Sequence, residues 1–137
     1  MLKSKIIIGT RGSKLAVLYA ETAKKKILDT NPDLHSDSID LKIIKTTGDI
    51  YESKKLSEMG GKGVFSKQIE RELLDKKIDI AVHALKDLPS IETKGLETKF
   101  FLKRNNPSDV FVSLEYNSIF DMKPNSIIGT SSFRRNA

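Results

Sequence analysis

Residues 79–89 read DIAVHALKDLP, an apolar run, Ile80-Ala81-Val82, followed within a few residues by His83, Lys86 and Asp87. A carboxylate set among cations stays ionised and can hold a cationic species or pass a proton. The alternative is an aspartate capping the turn before Leu88-Pro89, with Lys86 solvated, and position at a strand end does not decide between them. His83 by itself reads as a satisfied packing residue. Elsewhere, MGGKGVF sets Lys62 between glycines, on a backbone with unusual conformational freedom, which suits either an anion-gripping lid or a mobile surface loop. Two further stretches echo each other, IIGTRGS at 7–13 and IIGTSSF at 127–133. A glycine-ended strand feeding a serine-capped helix leaves backbone N–H groups that attract carboxylate or phosphate. Arg11 beside the first turn, and Arg134 and Arg135 beside the second, can grip carboxylates through paired hydrogen bonds. Capped turns with solvated arginines are the competing reading. GTRGSK has the wrong order for a phosphate-binding P-loop, and no cluster has metal-ligand or Ser-His-Asp spacing.

These residues need a scaffold. Residues 5–10, KIIIGT, read as a buried strand, and Ser13 caps a helix carrying Leu15, Leu18, Tyr19, Ala23 and Ile27 on one face, stopped by Asn31-Pro32. Residues 39–46 form a second strand, and the glycine-rich segment 46–63 reads as loop. A helix with Phe65, Ile69, Leu73 and Leu74 at helical spacing then leads into the strand IDIAV at 78–82. Strand, helix, strand, helix, strand with short connections predicts an α/β fold with a mostly parallel sheet, whose ligands bind beyond the carboxyl ends of the strands. Residues 96–104 and 109–113 look like further strands separated by a turn-forming NNPS, which places a division near residues 105–108. The second Gly-Thr turn is followed only by SSFRRNA, too short to predict a stable helix.

Composition narrows the classes further. The 137 residues, 38% hydrophobic and 31% charged, suit a soluble globular chain, and no apolar run approaches a membrane span. Cysteine is absent, which excludes disulfides and thiolate metal sites and agrees with a cytoplasmic setting. The net charge of +6 favours an anionic partner, yet basic and acidic residues number 11 and 8 up to Gly60, 8 and 7 from there to Phe100, and 5 and 3 thereafter. Acids accompany bases throughout, so a nucleic-acid-tracking stripe is not expected and small anions are.

Taken together, GTRGSKLA, EMGGKGVFSKQIE, DIAVHALKDLP and GTSSFRR resemble the motifs of the hydroxymethylbilane synthases, also called porphobilinogen deaminases, in the family's order and spacing over essentially the whole chain. The resemblance implies an enzyme of tetrapyrrole (heme) biosynthesis that joins four porphobilinogens head to tail. Each loses ammonia on a covalently held dipyrromethane cofactor. It implies a cytoplasmic monomer whose first two lobes resemble type II periplasmic binding proteins, with residues 1–104 the first lobe, lacking a returning segment, and 105–137 the start of the second. By the same carry-over Asp87 is the catalytic carboxylate. Arg11, Ser13, Lys62, Lys86, Asp87, Thr130, Ser131, Ser132, Arg134 and Arg135 contact cofactor or substrate. Glu58 stands where many relatives carry lysine, Tyr19 where glutamine is frequent, and HALKD replaces the commoner His-Ser-Met-Lys-Asp. With no cysteine to attach the cofactor, the expectation is an N-terminal portion that is inactive alone. A non-catalytic small-anion binding module is the alternative from another class.

Overall fold

Ile6, Ile7 and Ile8 send β-branched side chains alternately to opposite faces of an extended chain, which requires a sheet covered on both sides. In a computed structural model, which describes residues 5–50 and 65–136, they open β1 (Ile6–Thr10). Helix α1 (Lys14–Thr30), β2 (Ile39–Ile43), α2 (Thr47–Ile50), α3 (Lys67–Leu74) and β3 (Ile80–Ala81) follow. Lys62, Glu58 and the rest of the glycine-rich stretch from 51 to 64 lie outside the described residues.

The sheet order is β2-β1-β3 and all pairing is parallel, Ile6 beside Ile39 through Thr10 beside Ile43, and Ile8 beside Ile80. Parallel neighbours need a crossover, and α1 and α3 supply it. β3 is shorter than the sequence predicts, but Asp79 N–H donates to the Ile7 carbonyl and Val82 N–H to the Gly9 carbonyl, which carries the pairing past both its ends. Alternation along β1 divides the core in two. Ile8 packs with Ala20 of α1 and Ile39, whereas Ile7 borders a second cluster of Ile44, Ile69 of α3 and Ile78. A helix therefore covers each face.

The expected face of α1 needs correction. Leu15 and Leu18 are exposed, and the buried stripe runs through Ala20, with Ile27 and Leu28 packed against the same cluster. Ala20 is fully buried against Ile8 and Ile39, a contact that its small side chain permits at close range. The segment expected as pure loop begins instead with α2. Thr46 and Asp49 form a capping box there: Thr46 N–H donates to Asp49 Oδ2 at 3.0 Å, and Asp49 N–H to Thr46 Oγ1 at 3.4 Å.

Gly9 is the tightest point of the sheet. A Cβ there would lie 2.4 Å from Ile78 Cδ1 and 3.0 Å from Ile44 Cδ1, both in the buried cluster. Gly9→Ala is expected to cost about 1–3 kcal/mol through overpacking, read as a lower urea midpoint at unchanged m-value. An unchanged midpoint would mean that Ile78 swings aside freely.

The chain divides into two compact units, Met1–Leu102 and Lys103–Ala137. The strands expected at 96–104, 109–113 and 127–130 do not form among the described residues. Phe100, Val110 and Val112 stay 92, 82 and 86% exposed. β-branched and aromatic residues favour a strand only where a partner strand supplies hydrogen bonds and a surface to pack on, and among the described residues none pairs with them. The second unit instead carries a 3₁₀ turn at Ile119–Asp121 and, against expectation, a single helical turn after the second Gly-Thr, α4 (Phe133–Asn136).

Candidate functional site

Because β1 and β3 run parallel in register, the residues that follow them emerge at the same, carboxyl end of the sheet. Arg11 follows β1 directly, and His83 and the 3₁₀ turn Leu85–Asp87 follow β3. Ser13 caps α1, its Oγ accepting the Ala16 N–H at 3.3 Å. The buried Thr10 hydroxyl ties the turn to the helix by donating to the Ala16 carbonyl at 3.1 Å.

Arg11 is held on three sides. Its Nε and Nη2 donate to Asp49 Oδ1 at 3.1 and 2.6 Å, and its guanidinium carbon lies 3.9 Å from the centre of the Phe65 ring. Nη1 is 4.0 Å from Asp87 Oδ2, an ion pair but beyond hydrogen-bond reach. The side chains of Arg11, Asp49 and Asp87 are 19, 19 and 24% exposed, so these charges interact under weaker screening than surface pairs. Lys86 is exposed on the turn beside Asp87.

Two groups titrate abnormally around this pair. Burial pushes the Asp49 carboxyl up, but hydrogen bonds from Arg11 and Thr46 together outweigh it and hold the group below the ordinary carboxylate range. For His83, burial pushes the imidazole down and Arg11 acts in the same sense, against the opposing pull of Asp87 and Glu70. The expectation of a satisfied packing histidine holds only in part, since its buried Nε2 has no hydrogen-bond partner among the described residues. A neutral ring tolerates that far better than an imidazolium would.

In the second unit Thr130 Oγ1 accepts the Ser132 N–H at 3.2 Å, and Ser131 is exposed just before α4. Arg134 Nη2 lies 3.4 Å from Asp109 Oδ2, and Arg135 Nη2 donates to Asp109 Oδ1. The Arg135 hydrogen bond, with both guanidinium charges, holds the Asp109 carboxyl down at about 2. A carboxylate depressed in the folded state contributes stability above its unfolded pKa, about 3.9, that is lost as pH falls through the folded value. An NMR titration of the Asp109 side-chain carbon should therefore show a midpoint near 2, moving toward 3.9 in about 1 M salt because the pair is exposed. An ordinary midpoint at low salt would show the pair to be absent in solution.

The sequence model described as "Porphobilinogen deaminase, dipyromethane cofactor binding domain" matches residues 6–137. The chain belongs to the porphobilinogen deaminase family. It is 49% identical over 128 residues to a porphobilinogen deaminase of Wolbachia sp. subsp. Drosophila simulans, covering 93% of this chain and 43% of that protein. A porphobilinogen deaminase of Chlorobaculum tepidum is 43% identical over 134 residues, with 98 and 42% covered. That of Rickettsia conorii is 42% identical over 136 residues, with 99 and 38% covered. The chain thus spans about two fifths of the length of these curated relatives.

The porphobilinogen deaminase domain is described as binding a dipyrromethane, two linked pyrroles with carboxylate arms. Such a group needs cations for its arms and an acceptor for its pyrrole N–H groups. Arg11 Nη1, the exposed Lys86 and the Asp87 carboxylate have that chemistry, so the donor set fits. A thiol for covalent attachment is not among these 137 residues.

Of the residues singled out in the sequence, Arg11, Ser13, Lys86 and Asp87 share the carboxyl end of the sheet. Thr130, Ser131, Ser132, Arg134 and Arg135 lie in the other unit, and Lys62 is outside the described residues. Sequence reasoning missed Asp49 and Asp109, the carboxylates that hold the arginines. For Asp49 a signal existed, the Thr46-x-x-Asp49 capping pattern. For Asp109 there was none.

Proposed function

We propose that the protein carrying this chain is a hydroxymethylbilane synthase, a transferase that condenses four porphobilinogens with loss of ammonia. The observation that supports it best is Asp87, a half-buried carboxylate at the carboxyl ends of parallel strands, near the Arg11 guanidinium but not hydrogen-bonded to it. Loss of ammonia from porphobilinogen leaves a cation, and a fixed carboxylate beside the pyrrole nitrogen stabilises that charge as it develops. Asp87 is the group for that role, and it can also accept the pyrrole N–H. When bound, dipyrromethane supplies the pyrrole carbon at which growth begins. Arg11 through Nη1, Lys86, Lys62 and Ser13 hold carboxylate arms from the first unit. Thr130, Ser131, Ser132, Arg134 and Arg135 of the second unit are assigned carboxylate contacts by the same family likeness.

In this reading residues 1–104 form a lobe of the type II periplasmic-binding-protein kind, and 105–137 begin a similar one. The protein works as a cytoplasmic monomer. The 137 residues by themselves, without cysteine, cannot attach the cofactor through a thiol and are inactive. Following porphobilinogen loss and ammonia release tests this. The full-length protein is expected to consume substrate and the cysteine-free 137-residue polypeptide is not. Saturable porphobilinogen binding with no ammonia released by the full-length protein would replace the enzyme reading with that of a small-anion binding module.

A further inference from the structure

Arg11 lies between two carboxylates and is hydrogen-bonded to only one of them. We propose that Asp49 is a positioning residue that holds Arg11 off Asp87, and thereby keeps the Asp87 carboxylate open to an N–H-bearing or cationic ligand. The inference rests on the reading of Asp87 as the working carboxylate of this site.

The geometry shows why Asp49 wins the competition. Asp49 Oδ2 accepts from the Thr46 N–H at 3.0 Å and from the fully buried Thr46 hydroxyl at 2.7 Å, so its other oxygen is already aimed when Arg11 meets it. Arg11 commits its Nε and Nη2 edge to that oxygen, and the Phe65 ring covers one face of the guanidinium. What remains directed at Asp87 is Nη1, at 4.0 Å. Among the described residues, a guanidinium released from Asp49 would have Asp87 as its remaining ion-pair partner. A fork-to-fork pair between them would neutralise the charge and occupy the oxygens that a ligand needs. Asp49 thus lets a cation stand beside Asp87 to receive a ligand's carboxylate without consuming the Asp87 lone pairs.

Asp49→Asn in the full-length protein removes the competing charge at nearly constant shape. A crystal structure of that variant is expected to bring an Arg11 nitrogen to about 2.7–3.2 Å from an Asp87 oxygen. With porphobilinogen, kcat is expected to fall about 10–100-fold, as displacement of a positioned group does. KM is expected to rise by less than kcat falls, because Arg11 is only one of the cations assigned to the carboxylate arms. In an Arg11→Ala background, Asp49→Asn is expected to cause no further loss of kcat. Should Asp49→Asn fail to fold, Thr46→Val removes one of the two bonds that aim Asp49, and a smaller loss in kcat, again exceeding any rise in KM, is expected. Arg11 remaining at its present distance from Asp87 in the variant would overturn the proposal. So would an undiminished loss in the Arg11→Ala background, since Asp49 would then act independently of Arg11. A parent protein that does not consume porphobilinogen would refute the functional reading alone, and the crystallographic distance would still decide this one.

Discussion

Asp87→Asn in the full-length protein is expected to reduce porphobilinogen condensation about 10²–10³-fold, the scale seen when a single preorganised group facing transition-state charge is removed. Asparagine keeps the size of the side chain and one acceptor oxygen. It removes the negative charge that the leaving of ammonia calls for. Binding of porphobilinogen through its carboxylates should survive, since Asp87 is not among the cations that hold them. The loss should therefore appear in kcat and kcat/KM together with KM little changed. Arg11 becomes less balanced in the variant, because among the described residues Asp49 is then its one ion-pair partner, and substrate carboxylates gain slightly from that. Steady-state kinetics with a direct binding measurement separates the effects. A variant that loses binding and keeps its turnover number would remove Asp87 from the chemistry and leave it as a ligand contact.

The second large effect concerns the platform. Ile8 is fully buried at the centre of the middle strand, against Ala20 and Ile39, with Ile27, Leu41, Ile80 and Val82 around the same cluster. Ile8→Ala removes three heavy atoms from a site whose neighbours are two strands and a helix, which cannot all move in to fill the space. The expected cost is about 2–5 kcal/mol, the transfer of the lost groups plus the cavity left behind. Against a typical stability of about 5–15 kcal/mol this is enough to threaten folding. Leu18→Ala is the natural control, since Leu18 is exposed on α1 despite its size, and a change within about 0.5 kcal/mol is expected there. Urea midpoints compared at equal m-value measure both. Equal shifts for the two variants would mean that the division of α1 into a buried and an exposed face is wrong. Since Arg11 follows β1 by one residue, loss of Ile8 packing would also loosen the turn that presents it.

The local elements were legible where short-range chemistry decides them. Ser13 was readable as a cap because its hydroxyl satisfies an N–H three residues away, and the triple isoleucine as a buried strand because the run is short, β-branched and ended by glycine. The parallel α/β arrangement followed from the alternation of these elements. The face of α1 was legible only in part: Ile27 packs on the core as expected, whereas Leu15 and Leu18 are exposed and Ala20 is buried in their stead. Helical spacing selects a stripe of apolar residues, but how the helix is rotated on the sheet depends on the tertiary packing. The missing strands failed for a related reason. Residues such as Val110 and Val112 have the right preference, and a preference becomes a strand only beside another strand.

For the site the division is similar. Residue order places charge at the strand ends, on Arg11, Lys86 and Asp87 among others, and its motifs carry the family to which the chain belongs. How those charges are shared out follows from the fold. Arg11 bonds to Asp49, 38 positions along the chain, and Arg134 and Arg135 to Asp109, 25 and 26 positions away. Composition and spacing register the presence of a carboxylate but not its direction, and an ion pair exists only where folding brings two charges within a few ångströms.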